Sequence, residues 1–325
     1  MPLEMTPTRK LTLLSGRAHP ELAERIAREL GVEVTDANLR TFPNSEMHCR
    51  FGESVRGNDV FVVQSHAAPT NDSIMEQAIM IDAAKRGSAK RITAVCPYYG
   101  YSRQDRKASG REPITARLVA DILRTAGAER IVSIELHSGQ IQGFFDGPFD
   151  HLVSLPVLID YLQVNAPENM VLVSPDIGGA KMIERLARHV NADVAIVDKR
   201  RDTSKLASVE AKGVLGSVKG RACVLVDDEI STAGTITAAA DLLIAEGATE
   251  VWAMATHGVL ADPGVDRLKN APIERVILTD TLPLPEEKRL DKIEVVSVAG
   301  ILARAIDAVF EDTSVSEIFW GENQR

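Results

Sequence analysis

An apolar run, Val224–Val226, ends in two adjacent carboxylates, Asp227 and Asp228, and small and hydroxylic residues follow: Ser231, Thr232, Ala233, Gly234 and Thr235. A helical pattern, TITAAADLLIAEGA, begins directly after them. Small residues let backbone N–H groups come close to an anion, and the start of a helix favours negative charge. The carboxylates suit the hydroxyls of a ribose, bound directly or through magnesium. A sugar phosphate satisfies both halves, with its phosphate in the loop and its diol on the acids. The competing reading is a capped helix after a surface turn. No GxxxxGK[ST] stretch occurs in the chain, so the loop is not of the Walker type.

Four other short segments hold groups able to do chemistry. In SPDIGGA, Asp176 follows an apolar run and precedes two glycines, which suits either a turn or a magnesium ligand. In LHSGQIQGFF, His137 is a lone histidine, a residue more often structural than functional. PYYGYSRQDR carries Arg103, Gln104, Asp105 and Arg106, with Lys107 and Arg111 close by. Planar guanidinium forks match phosphate oxygens, although a bare charge cluster is more often a solvated loop. Lys199, Arg200 and Arg201 end a further apolar run as three successive cations.

The strand–DDxxxTxGT–helix pattern resembles the phosphoribosyl-diphosphate (PRPP) binding motif of the type I phosphoribosyltransferase fold. From about Leu11 to Trp320 the chain resembles the ribose-phosphate diphosphokinase family, also called PRPP synthetases. The resemblance is carried by NDSIMEQAIMIDAAKR, RITAVCPYYGYSRQDR, HSGQIQGFFDGPFDH, SPDIGGAK, VDKRR and VDDEISTAGT, in the family's order. It implies transfer of diphosphate from Mg-ATP to ribose 5-phosphate. On matching positions it implies Lys199 and Arg201 as catalytic residues of a flap over 199–213. Arg103, Gln104, Asp105 and His137 would serve ATP, with His137 and Asp176 at the magnesium site. Ribose 5-phosphate would lie on Arg201, Asp227, Asp228, Ser231, Thr232, Ala233, Gly234 and Thr235. An adenine-binding loop matches Phe42, Asn44, Ser45 and Glu46, where Asn44 and Ser45 replace the commoner Asp-Gly. The asparagine oxygen can still accept from the adenine amino group. The resemblance also implies a homohexamer activated by phosphate and inhibited by ADP, with a regulatory anion site matching Ser54, Arg56, Arg86, Ser314 and Ser316. Ser231 stands where many members carry aspartate, and Glu135 where aspartate is usual; neither change removes a group the transfer needs. A non-catalytic relative would lack the flap cations and the acid pair. A phosphoribosyltransferase consuming PRPP shares the acidic loop but needs no ATP loop.

These loops require elements to present them. Apolar runs such as Leu11–Leu14, Val60–Gln64, Ile92–Cys96, Ile131–Leu136, Met170–Ser174, Val194–Asp198, Ala222–Val226, Val251–Thr256 and Arg275–Thr279 read as buried strands. Helical patterns lie between them, over Pro20–Leu30, Asn71–Arg86, Ile114–Ala126, Ala180–Val190, Thr235–Glu246 and Gly300–Phe310. The alternation predicts an α/β fold of two similar phosphoribosyltransferase-like domains, each a mostly parallel sheet flanked by helices. The expected domains are 9–154 and 155–325, the extreme C-terminus packing on the first. Ligands of such sheets gather at the carboxyl ends of strands, where four of the polar loops fall.

Composition narrows the partners. Of 325 residues 45% are apolar and 26% charged, an ordinary globular mixture long enough for two cores. A formal charge of −9 with no polybasic tail argues against nucleic acid or an anionic membrane surface, and 4% aromatic residues leave little for base stacking. Cys49, Cys96 and Cys223 are far apart, which gives neither a CxxC zinc site nor a disulfide framework. MPLEMTPTRK lacks the apolar core of a signal peptide, so a cytoplasmic protein is expected.

Overall fold

The computed structural model describes residues 9–201 and 209–319. In chain order the strands are β1 (Leu11–Ser15), β2 (Val34–Thr35), β3 (Arg40–Thr41), β4 (Met47–His48), β5 (Asp59–Val63), β6 (Arg91–Cys96), β7 (Arg130–Ile134), β8 (Phe149–Leu152), β9 (Met170–Ser174), β10 (Asp193–Arg201), β11 (Val209–Leu215), β12 (Ala222–Ile230), β13 (Glu250–Gly258), β14 (Arg275–Thr279) and β15 (Ile293–Val296). The helices are α1 (Pro20–Leu30), α2 (Thr70–Arg86), α3 (Thr115–Ala126), α4 (Leu155–Asn165), α5 (Ala180–Val190), α6 (Gly234–Ala245), α7 (Gly264–Asn270) and α8 (Ala299–Phe310). They form two compact units, Met1–Val153 with Ala299–Arg325, and Ser154–Val298.

In the first unit the sheet order is β2-β1-β5-β6-β7-β8, parallel throughout. β5, Asp-Val-Phe-Val-Val, is buried at every position, because helices cover both faces of a parallel sheet. α1 shows how the sequence sets its own limits. Leu22, Ala23, Ile26 and Ala27 recur at helical spacing and are buried. Gly31 then ends the helix in the left-handed region at φ 67°, while Val32 donates back to the Ala27 carbonyl. In the second unit the order is β11-β10-β9-β12-β13-β14-β15, parallel except for the β10–β11 pair. Its core gathers Val173, Leu225, Leu243, Ala253 and Leu278. No helix among the described residues is long and apolar enough to cross a membrane.

Two expectations need correction. α8, expected within the second domain, belongs to the first unit and packs on α1. Its buried face of Ile301, Leu302, Ala305, Ile306 and Val309 finds an apolar partner there, and polar bonds secure its far end. Arg91 donates to Asp312 at 2.5 Å and to the Phe310 carbonyl at 3.3 Å; Arg9 donates to Asp312 at 2.7 Å. Both arginines also bind Asp59, which is 1% exposed. The second correction concerns β12, expected to stop at Val226. It runs on to Ile230 because β13 is equally long, with Asp227 opposite Ala255 and Glu229 opposite His257. The acid pair thus lies on hydrogen-bonded strand and not in the loop.

Removing the buried carboxylate leaves two partly buried guanidiniums with only the exposed Asp312 in common. Asp59→Ala is expected to destabilise the first unit by about 3 kcal/mol, read as a lower denaturant midpoint in urea unfolding.

Candidate active site

In the second unit the parallel neighbours β9 and β12 deliver their carboxyl ends side by side, Val173 opposite Leu225. Asp176 follows β9 and caps a 3-10 turn over Ile177–Gly179, its Oδ1 accepting from the Gly178 N–H at 2.9 Å. The turn sits tightly on the strand end: a Cβ on Gly179 would lie 2.5 Å from Ser174 Oγ. Asp227 Oδ1 accepts the N–H of Asp228 at 2.9 Å. Burial pushes the Asp227 carboxyl up from 3.8 to about 8, and the negative charges of Asp228 and Asp176 add to the effect. A carboxyl raised in this way favours its protonated form near neutral pH, and a nearby cation or hydroxyl donor favours the ionised one.

Beyond Ile230 the chain turns through Ser231 and Thr232 into α6. Ala233 is the N-cap, in the left-handed region at φ 57°, and no side chain caps the helix. The N–H groups of Gly234, Thr235 and Ile236 therefore have no carbonyl one turn back. Thr237 supplies the first helical bond, to the Ala233 carbonyl at 3.0 Å.

In the first unit the loops after β6 and β7 are tied together. The His137 N–H donates to Ser102 Oγ at 2.9 Å, and Gln140 Nε2 donates to Asp105 Oδ2 at 2.8 Å. Asp105 is buried, whereas Arg103, Gln104 and His137 are exposed. Gln104 is fixed by its backbone, donating to Tyr101 and accepting from Ala116, while Thr115 Oγ1 donates to its Oε1 at 2.5 Å. The four expected ATP residues of these loops thus occupy one connected loop pair.

Phe42, Asn44, Ser45 and Glu46 form the exposed turn of the β3–β4 hairpin. Ser45 has φ 71°, a conformation open to glycine without cost. Asn44 Oδ1 accepts the Glu46 N–H at 3.2 Å and keeps a second lone pair for another donor. The Arg40 guanidinium lies 5.2 Å over the Phe42 ring. Arg17 braces the hairpin from beneath, bonding Thr41 Oγ1 at 3.0 Å and the buried Glu76 at 2.5 Å.

Of the expected anion-site residues, Ser54, Arg56 and Arg86 come close. A Cβ on Gly87 would stand 2.7 Å from Val55, so the turn carrying Ser54 and Arg56 lies against the end of α2, where Arg86 pairs with Asp82 at 2.7 Å. Ser314 and Ser316 lie just beyond α8. The backbones of Lys199 and Arg201 belong to β10, opposite Ala211 and Val209 of β11. Their side chains, and residues 202–208 of the expected flap, lie outside the described part.

Sequence reading missed a buried support under the loop after β6. His66 Nδ1 accepts the N–H of Gly100 at 2.9 Å, so its Nε2 carries the proton and donates to Gln77 Oε1 at 2.8 Å. Burial lowers the His66 pKa to about 4, which keeps this donor–acceptor pattern fixed at neutral pH. A lone histidine in QSHAAPT carries no sequence signal of that role.

Two mostly parallel sheets flanked by helices, with polar loops at strand carboxyl ends, define a two-domain phosphoribosyltransferase-like fold. Residues 11–127 match the family described as the N-terminal domain of ribose phosphate pyrophosphokinase, and residues 169–320 match the phosphoribosyl synthetase-associated domain. The chain is 52% identical to a ribose-phosphate pyrophosphokinase of Streptomyces avermitilis, over 98% of both chains. It is 54% identical to one of Bifidobacterium longum, over 98% of this chain and 94% of that one. The crystal structure of phosphoribosylpyrophosphate synthetase from Mycobacterium smegmatis superimposes with a TM-score of 0.88 at 52% identity, over 94% of this chain and all of that one. The chain belongs to the ribose-phosphate pyrophosphokinase family.

The raised Asp227 pKa has a thermodynamic consequence. The folded state holds a proton that the unfolded state has lost between pH 3.8 and about 8, so this group's contribution to stability declines across that window. Asp227→Asn removes the penalty. In substrate-free, magnesium-free protein its midpoint should exceed the parent's by roughly 2–4 °C at pH 8 and by far less at pH 4 in calorimetry.

Proposed function

We propose that this chain transfers the β,γ-diphosphate of Mg-ATP to the C1 hydroxyl of ribose 5-phosphate, giving PRPP and AMP for nucleotide biosynthesis. The C1 oxygen forms a bond to the β-phosphorus and loses its proton to solvent. The bond from that phosphorus to the α,β-bridging oxygen breaks, and AMP leaves with the oxygen. The observation that carries this reading is the acid pair at the end of β12 joined to an uncapped helix start, in a chain that also holds the loop pair around Arg103 and His137.

Such a displacement asks for alignment and charge neutralisation more than for covalent help from protein. Asp227 and Asp228 receive the ribose hydroxyls, and Ser231–Thr235 receive the 5-phosphate. Arg103, Gln104, Asp105 and His137 receive the ATP phosphates; Phe42, Asn44, Ser45 and Glu46 receive adenine. Lys199 and Arg201 stabilise the charge that grows on the transferring group.

The donors suit magnesium. Among the described residues no three His, Cys, Asp or Glu side chains converge into a metal cage. Magnesium is ordinarily held by one or two carboxylates with substrate phosphates and waters. Asp176 would hold it through oxygen, with His137 at a phosphate or a bound water; when bound, the ion neutralises the diphosphate. Assembly as a homohexamer, with phosphate acting at Ser54, Arg56, Arg86, Ser314 and Ser316, belongs to the same proposal.

Incubation with Mg-ATP and ribose 5-phosphate should yield AMP and PRPP in equal amounts; absence of AMP overturns the assignment. Lys199→Ala should lower kcat on the order of 10²–10³-fold, as loss of one transition-state contact does. Calorimetric titration should show ribose 5-phosphate binding within about threefold of the parent, because the loss falls on the transition state.

A further inference from the structure

The sugar-phosphate loop rests on α7. Gly264 comes so close that a Cβ there would stand 2.7 Å from the Ser231 carbonyl oxygen. One turn further, Arg267 Nη1 donates to the Thr232 carbonyl oxygen at 2.9 Å and lies 3.0 Å from where a Cβ on Gly234 would be. The guanidinium therefore touches the loop on both sides of Ala233. Its own helix supports it, with the Arg267 N–H bonded to the Pro263 carbonyl at 3.1 Å.

The peptide between Thr232 and Ala233 is trans and planar, so its C=O and N–H point in opposite directions. A donor that fixes the carbonyl toward α7 turns the Ala233 N–H to the opposite side of the loop. Ala233 is held at φ 57°, a conformation that an alanine avoids unless its surroundings impose it. Hydrogen bonding at the carbonyl also polarises the N–H across the same peptide. The next N–H groups, of Gly234 and Thr235, open α6.

The geometry points to Arg267 as a positioning residue for the sugar phosphate: it clamps the Thr232–Ala233 peptide so that the Ala233 N–H faces the phosphate. This rests on the assignment of ribose 5-phosphate to the Asp227–Thr235 segment. Gly264 permits the clamp by letting α7 approach, and Gly234 leaves room for the guanidinium.

The test compares the parent with Arg267→Ala and Arg267→Lys in the full chain. Arg267 is exposed, so the truncation leaves the core intact. Arg267→Ala should weaken ribose 5-phosphate binding and raise its KM roughly tenfold, the scale of one charge-assisted hydrogen bond. The KM for ATP should stay within about twofold and the thermal midpoint within about 2 °C. Arg267→Lys, which retains a charged donor, should recover most of the affinity. Unchanged ribose 5-phosphate affinity in Arg267→Ala overturns the clamp, as does a parallel rise in both KM values with a lowered midpoint. Failure of the parent to bind ribose 5-phosphate in calorimetry overturns the ligand assignment itself, and the clamp with it.

Discussion

The second unit depends on β12 being hydrogen-bonded along both edges. β9 pairs with it from Ala222 to Leu225, and β13 pairs with it to Ile230. A strand held on both sides cannot slip by one residue without turning its apolar set out of the core. That constraint carries Asp227 and Asp228 to a fixed place although desolvation and like charge oppose the ionisation of Asp227. It also sets the origin of α6, and with it the direction of the N–H groups that open the helix.

The first unit reaches a comparable result by bracing loops from beneath. Each support is a buried polar group whose bonding capacity is used. His66 takes one N–H and gives one; Glu76 takes the Arg17 backbone and side chain together with Gln64. Ser102 joins the loops after β6 and β7 through a single bond from the His137 N–H. Burying polar groups is costly unless every partner is present, so these supports keep loop geometry narrow at positions where apolar packing is absent. An acidic chain thereby presents concentrated cationic loops without needing a basic surface overall.

Much of this was legible in the sequence. The nine expected strands and six expected helices correspond to elements of the fold, because buried parallel strands and amphipathic helices leave strong local patterns. What escaped notice lacks such a pattern. β2, β3 and β4 are two-residue strands, too short for any period. α4 is apolar on most faces and reads as neither alternation nor stripe. Arg267 belongs to a short exposed helix 35 residues from Thr232, and nothing near either residue in the chain announces the bond. The place of α8 is illegible for another reason: its apolar face shows in the sequence, but the surface on α1 that receives it does not.

Local sequence determined the chemistry on offer: two acids at the end of an apolar run, a small-residue turn and a helix start, with separate loops of arginine, glutamine and histidine. Those follow from neighbouring residues, since propensity and hydrophobic period act over a turn or a strand. Tertiary structure alone decided that the acids lie on continuing strand, that burial pushes the Asp227 carboxyl up, and that α7 fixes the peptide ahead of α6. Each of these depends on groups distant in the chain, and desolvation and hydrogen-bond direction exist only once those groups have been brought together.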